Sequence, residues 1–539
     1  MFTTRTWLAL AILSAFALPA SAQTFRVQCP ERTTLHPPVD GKPNPSIKCQ
    51  QISGGDGFAT MADGTQTYLF AFGPLSGLRD IYNGLPGTQS QSVFMQPSPV
   101  SAGAPSNLVG MPDASFGFNG AIGLTRDPAL ADDPACAVAS PPSYCTTGLD
   151  GYVDARAIMD VGVMNGSEPA PLMAIDEDDE FFLTLTNVGQ VMRPDLFEQH
   201  TVHFHGYPNA SAYYDGVPDA SAAINIGGSF TYYYLAPDAG TYFWHCHITP
   251  PEHLQMGMVG QLYVRPRQNR AVGDLGEALF LANKAANLVR DAAHNPLNSP
   301  TADGLHCTDI LCTGQTPAPA GASSSNGHSG VAATGKLYAY NDGDGSTAYD
   351  VEYPLQMMSF DPNFHFVGMT FNPEAFTDLK DKYFMLNGRG YPDTITEGSL
   401  TTQATDGTLH ASQPLPSIIN IPAGGRALLR ISDLNVTEYH TLASLGIPMH
   451  VIAINARLLR AADGTNMAYD TNSITLGGGE SLDVILDATN LTAPKTFYLY
   501  TPQLDHLSND AENFGGMMTE VNVCATVNPV TKIGTGCRP

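Results

Sequence analysis

The sequence predicts an all-β protein made of two β-sandwich domains, and three observations predict it. Short runs rich in Val, Ile, Thr, Tyr and Phe recur between Gly, Pro, Asn and Asp turns, with almost no helical periodicity. A series of phrases then repeats in order along the chain. Finally, the 539 residues are ample for two separately closed cores.

The repeat is specific. Asn165-Gly166 with Pro169 returns as Asn387-Gly388 with Pro392. FLTLTN (182–187) returns as LLRISDLN (428–435), and GGSFTYYYL (227–235) as GGESLDVIL (478–486). TYFWHCH (241–247) returns as 496–502, where Tyr500, Thr501 and Pro502 stand in place of His245, Cys246 and His247. The second copy keeps the scaffold and loses the metal-binding tripeptide.

In chain order, residues 1–22 carry Arg5, an apolar run over 7–18 and Ala20-Ser21-Ala22 before Gln23, the pattern of a cleaved secretory leader. Export to a periplasmic or extracellular space follows. Residues 23–150 form an N-terminal extension, Pro-rich and cysteine-bearing at first, with one strand-like run at 66–72, expected to pack on the first domain. The first domain spans 151–267, an inserted linker 268–335, the second domain 336–524 and a tail 525–539. Within the linker, 276–294 has helical composition, and 317–330 is low-complexity. No run after the leader approaches the ~20 apolar residues of a membrane span. A net charge of −26 argues against nucleic acid or an anionic membrane as partner.

Eight of the nine cysteines fall in close pairs: Cys29 with Cys49, Cys136 with Cys145, Cys307 with Cys312 and Cys524 with Cys537. An exported chain can hold these as disulfides, although spacing alone does not prove the connectivity. Cys246 is left over. It sits between His245 and His247, with His253 and Met258 downstream and His200, His203 and His205 upstream. A thiolate, two imidazoles and a thioether are the ligand set of a blue-copper site. Successive residues of a strand point to opposite faces. One face therefore collects His200, Cys246, His253 and Met258. The other collects His203, His205, His245 and His247. Two metal sites stand back to back, joined through Cys246 and its neighbours.

These residues resemble the multicopper oxidases, which are built of cupredoxin-like Greek-key β-sandwiches. The specific motifs lie in about 151–264, with scaffold phrases alone over about 338–523. The resemblance implies a type 1 copper at His200, Cys246, His253 and Met258. It also implies half of a type 2/type 3 cluster at His203, His205, His245 and His247. A full trinuclear cluster needs eight imidazoles, and no other HxH motif exists in the chain. Either another chain supplies the rest, which implies a homo-oligomer such as the trimers of two-domain relatives, or the site holds fewer coppers.

The resemblance implies an oxidoreductase passing single electrons from a small-molecule or metal-ion donor to dioxygen. One alternative is a nitrite-reductase-like enzyme using His205, His245 and a neighbour's His506. The other is a blue-copper electron-transfer or copper-binding protein. Asp215 is a further candidate, as an orienting group or as a plain turn residue before Gly216.

Overall fold

The computed structural model of the chain describes residues 25–99, 117–139, 141, 143–206, 211–236, 238–269, 337–342, 345–365, 379–403, 409–461 and 465–538. The leader, the helix expected at 276–294 and the Cys307/Cys312 pair lie outside these residues. No helix among the described residues is long and apolar enough to cross a membrane.

The first sandwich is built from β1 (Ile47–Thr60), β2 (Gln66–Pro74), β3 (Met173–Asp176), β4 (Glu180–Gly189), β5 (His203–Phe204), β6 (Ser229–Leu235), β7 (Gly240–His245) and β8 (Val259–Arg265). One sheet runs β2-β1-β4-β6 and the other β3-β8-β7-β5. The pairs β1/β4 and β3/β8 are parallel. Phe181, Leu183 and Leu185 of β4 alternate inward and meet Tyr242, Trp244, Leu262 and Val264 of the facing sheet. Each fully buried Leu or Phe contributes about 1.5–3 kcal/mol of hydrophobic stabilisation, so a one-residue register slip is strongly disfavoured.

The stretch 23–150 is both laid over this sandwich and built into it. Phe25, Val27, Leu75, Phe94, Leu124 and Ile158 cover the outer face of the first sheet. At the same time β1 is that sheet's second strand and pairs with β4 from Ile47↔Glu180 onward. The two buried glutamines of β1 are each bonded through one end of the amide: Gln51 Nε2 donates to Thr186 Oγ1 at 3.3 Å, and Gln50 Oε1 accepts from Thr88 at 3.0 Å. Disulfides join Cys29–Cys49, Cys136–Cys145 and Cys524–Cys537, and Cys246 is the free, buried cysteine among the described residues.

The second sandwich comprises β9 (Val351–Phe360), β10 (Tyr383–Leu386), β11 (Ile419–Pro422), β12 (Arg426–Asp433), β13 (His440–Leu445), β14 (Met449–Ile454), β15 (Ser473–Leu476), β16 (Ser481–Asp487), β17 (Lys495–Tyr500) and β18 (Met518–Cys524). Its sheets run β10-β9-β12-β16-β14 and β11-β18-β17-β13-β15. The parallel pairs β9/β12 and β11/β18 repeat those of the first sandwich.

The two sandwiches share an apolar seam of Leu69, Ala71, Phe243 and Val259 against Met358, Phe360, Tyr383 and Leu434. A buried polar joint lies beside it. Glu352 accepts from Arg265 Nε at 2.9 Å and from Arg430 Nε at 3.1 Å. Thr241 Oγ1 donates to Asp483 at 2.6 Å. Burial alone would push the Glu352 carboxyl up, but Arg265 and Arg430 pull it down to about 2. This joint holds the 477–480 turn of the second sandwich against the first.

Candidate metal centre

The first pocket lies inside the first sandwich, at the end of β7. His200 precedes β5 and is bridged to Ile224, Cys246 follows β7 directly, and His253 rides on the short helix Pro250–Gln255. His200, Cys246, His253 and Met258 have no exposed surface. His253 Nδ1 lies 3.2 Å from Cys246 Sγ and His200 Nδ1 lies 4.0 Å from it. Both Nε2 atoms are buried without a hydrogen-bond partner. The Cys246 amide donates to Met258 O at 3.1 Å, and the Met258 amide to His253 O at 2.8 Å. The Met256 amide instead bonds back to Glu252, so Met258 is the methionine whose main chain is tied to both Cys246 and His253.

The electrostatics suit a cation. Burial pushes the Cys246 thiol up, but His253 and His200 overcome it and hold the thiol well below its usual range. Burial pushes His253 down, and the Cys246 and Glu198 charges raise it to about 9. Thr201 N–H donates to Sγ at 3.4 Å. A Cβ on Gly54 would meet the His200 ring at 2.6 Å, so glycine at that position makes room for the imidazole. Phe70 packs edge-on against His253 with ring centroids 5.2 Å apart.

The second pocket lies on the opposite side of the same strands. His203 pairs with His245 across β5 and β7. His203 and His247 ring centroids are 5.0 Å apart, and those of His205 and His245 are 4.9 Å apart. The carbonyl of Asp215 lies 2.7 Å from His203 Nδ1 and that of Cys246 2.6 Å from His245 Nδ1. His205 Nδ1 is held by the Gly479 backbone of the second sandwich. Backbone acceptors at Nδ1 fix the tautomer of His203, His205 and His245 and leave those three Nε2 atoms as lone pairs. His205 Nε2 and His245 Nε2 then face each other at 3.0 Å, near enough for one cation to take both as ligands. Burial and the neighbouring His203 lower His205 to about 4, and burial lowers His245 well below the ordinary value, so both are neutral donors at pH 7.

Of the eight core candidates, His200, Cys246 and His253 converge in one group and His203, His205 and His245 in the other; the main chain ties Met258 to the first, and the His247 ring lies 5.0 Å from that of His203 beside the second. Asp215 meets His203 through its carbonyl, while its carboxylate is 3.6 Å away. His506 is elsewhere. It is buried in the second sandwich, with Nε2 bonded to Glu438 at 2.8 Å and its ring stacked on Phe384 at 4.0 Å. Four contributors escaped the sequence reading: Gly54, Glu198, Thr201 and Gly479. Thr201, between His200 and Val202, also accepts from the His247 amide at 2.9 Å and so touches both pockets. The E-x-H spacing could have flagged Glu198, whose Oε2 lies 3.7 Å from His253 Nε2.

A family model described as multicopper oxidase matches residues 150–269, the stretch that carries every one of these donors. Residues 150–269 are thus similar to a multicopper oxidase domain. Multicopper oxidase MCE of Talaromyces pinophilus is 30% identical over 23% of this chain and 22% of its own length. The copper-containing nitrite reductase of Rhizobium meliloti is 34% identical over 20% of the chain and 27% of its own length. The chain therefore spans under a third of either relative. The solved blue copper oxidase of Nitrosomonas europaea overlays 88% of the chain and 85% of its own at 17% identity, with a TM-score of 0.45. Multicopper oxidases bind copper, and the thiolate–imidazole and all-imidazole donor sets of this domain suit that metal.

Proposed function

We propose that the protein is an exported, copper-dependent oxidoreductase. It takes single electrons from a small-molecule or metal-ion donor at the first pocket and uses them at the second, with dioxygen as acceptor. The observation that carries this reading is the tripeptide His245-Cys246-His247. Its sulfur turns to one donor set, while its two imidazoles lie in the other.

Copper held by the two sets supplies one-electron redox chemistry and the reduction of dioxygen. The chain supplies the rest. His200 and His253 stabilise the Cys246 thiolate, and Thr201 N–H donates to it. Phe70 and the surrounding core exclude water from the first pocket. Main-chain carbonyls orient the second set of imidazoles. Glu198, partly exposed, reaches from His253 to the surface, where a reducing donor would approach. Export is supported by the leader and by the three disulfides.

An electron carrier needs the first donor set alone, and three further imidazoles with converging nitrogens, beside a fourth at His247, would be costly ornament. The nitrite-reductase-like alternative needs His506 presented to a neighbour, whereas its ring is 1% exposed and committed to Glu438 and Phe384. Ala443, paired with Tyr500 in the second sandwich, stands where His203 pairs with His245 in the first. A second copy of the chain therefore brings no imidazoles from those positions to complete a trinuclear cluster, and the motive for a homo-oligomer weakens. We propose a second site held by His203, His205, His245 and His247 of one chain.

Oxygen consumption with phenolic, cuprous and ferrous donors tests the reading. The copper-loaded protein should consume oxygen with at least one of them, and Cys246→Ser should not. Equal oxygen consumption by both proteins would refute it.

A further inference from the structure

The second sandwich, which the sequence reads as having lost its metal, keeps more of the site than its tripeptide Tyr500-Thr501-Pro502 suggests. Register fixes the comparison. In the first sandwich His245 pairs with Val259, and in the second Tyr500 pairs with Met518. Thr501 therefore occupies the place of Cys246, and Met517 that of Met258. The main chain agrees: the Thr501 amide donates to Met517 O at 3.0 Å, and the Met517 amide to His506 O at 3.0 Å. These are the bonds that tie Cys246 to Met258 and Met258 to His253. On the other strand Ala443 pairs with Tyr500 as His203 pairs with His245, which puts His440, three residues earlier, in the place of His200.

The surroundings repeat as well. His440 and His506 ring centroids are 5.6 Å apart, against 5.4 Å for His200 and His253. Glu438, two residues before His440, bonds His506 Nε2, as Glu198, two before His200, approaches His253 Nε2. Phe384 on β10 covers His506 from the strand that answers to β2, where Phe70 covers His253, although Phe384 stacks face to face and Phe70 meets its imidazole edge-on. His440, Thr501 and Met517 have no exposed surface, and His506 has 1%.

We infer that the second sandwich holds a latent thiolate-type copper pocket formed by His440, His506 and Met517, in which Thr501 stands in place of the sulfur donor and Asp433 holds His440 Nδ1. In place of a metal, the chain satisfies most of the imidazole nitrogens itself. His440 Nδ1 lies 3.1 Å from Asp433 Oδ1, and His440 Nε2 lies 3.0 Å from Ser359 Oγ. One nitrogen is left over. His506 Nδ1 is buried without a hydrogen-bond partner, and it is the atom whose counterpart in His253 faces the sulfur. A soft cuprous or cupric ion is the class of ligand this set would take once a thiolate is supplied.

The test is Thr501→Cys in the full-length, copper-loaded protein, alone and combined with Cys246→Ser. The expected result is about one additional copper per chain, with a thiolate-to-copper visible band that survives Cys246→Ser. That gain should vanish when His506→Ala is added. In the wild-type background His506→Ala should leave the copper content unchanged. Two results would overturn the inference. One is a folded Thr501→Cys protein with no extra copper and a thiol that a reagent titrates on unfolding. The other is failure of Thr501→Cys to fold while Thr501→Ser folds, because cysteine is no larger than threonine and its exclusion would mean the pocket has no place for the sulfur.

Discussion

The first and second sandwiches share sheet order, parallel strand pairs and a Glu-x-His strand entry, yet they differ in how buried imidazoles are satisfied. In the first, Cys246 Sγ faces two Nδ1 atoms and neither Nε2 atom makes a hydrogen bond, with Glu198 approaching His253 Nε2 only to 3.7 Å. In the second, Asp433, Ser359 and Glu438 bond three of the four nitrogens. Burying an unpaired polar group costs free energy, so a pocket must be closed by a metal or by protein partners. One scaffold accommodates both solutions, and the side chain at one position, Cys246 or Thr501, goes with the choice. The fold sets where a site can be, and single donor atoms decide whether it is one.

The contrast breaks most sharply at the sulfur. Cys246→Ser should abolish the intense visible band and reduce oxygen consumption to background, read by absorbance and by an oxygen electrode. Gly479→Ala comes next. Its Cβ would sit 2.6 Å from His205 Nδ1, and the φ of +87° already disfavours a side chain. Copper at the second pocket should weaken by about 10–100-fold, the scale for lost outer-shell support, while the visible band from the first pocket stays.

Glu352→Gln tests the joint that holds the two sandwiches together. It leaves Arg265 and Arg430 without their buried counter-charge and should cost about 3–5 kcal/mol, seen as a lower thermal midpoint. The carboxyl is held at about 2, below an ordinary glutamate. Its stabilisation is therefore complete above the unfolded value of about 4.3 and is lost as pH falls through the folded value. The gap in midpoint between the two proteins should be constant above about pH 5 and close towards about pH 2. Thr201→Val keeps the N–H on the sulfur and removes the acceptor of the His247 amide. It should lower turnover by about tenfold and leave the visible band in place.

Much of this was legible in the residues. The alternation of β4 and β7 and the tandem phrases give the two sandwiches, and the parity of His200, Cys246, His203 and His245 separates the two donor groups. Strand β1 was not legible, because IKCQQISGGDGFAT has no apolar alternation; its glutamines are buried through bonds to Thr88 and Thr186 that no local pattern reveals. His506 looked isolated, and a neighbour-ligand role rested on the loop that carries it. Its true companions, Glu438, His440 and Phe384, come from two other strands and the turn before one of them, so only the folded register brings them together. Gly479 escaped for the same reason, since it reaches His205 across the joint between the sandwiches.

The central claim is that one chain holds copper at two connected sites around Cys246. Copper per chain, measured together with the EPR and visible spectra of the copper-loaded mature protein, tests it most directly. The account predicts more than one copper per chain: an intense thiolate band from the first pocket, and a further copper without thiolate character that disappears when His205 and His245 are replaced. A single blue copper per chain, unchanged by those replacements, would contradict the account and leave an electron carrier.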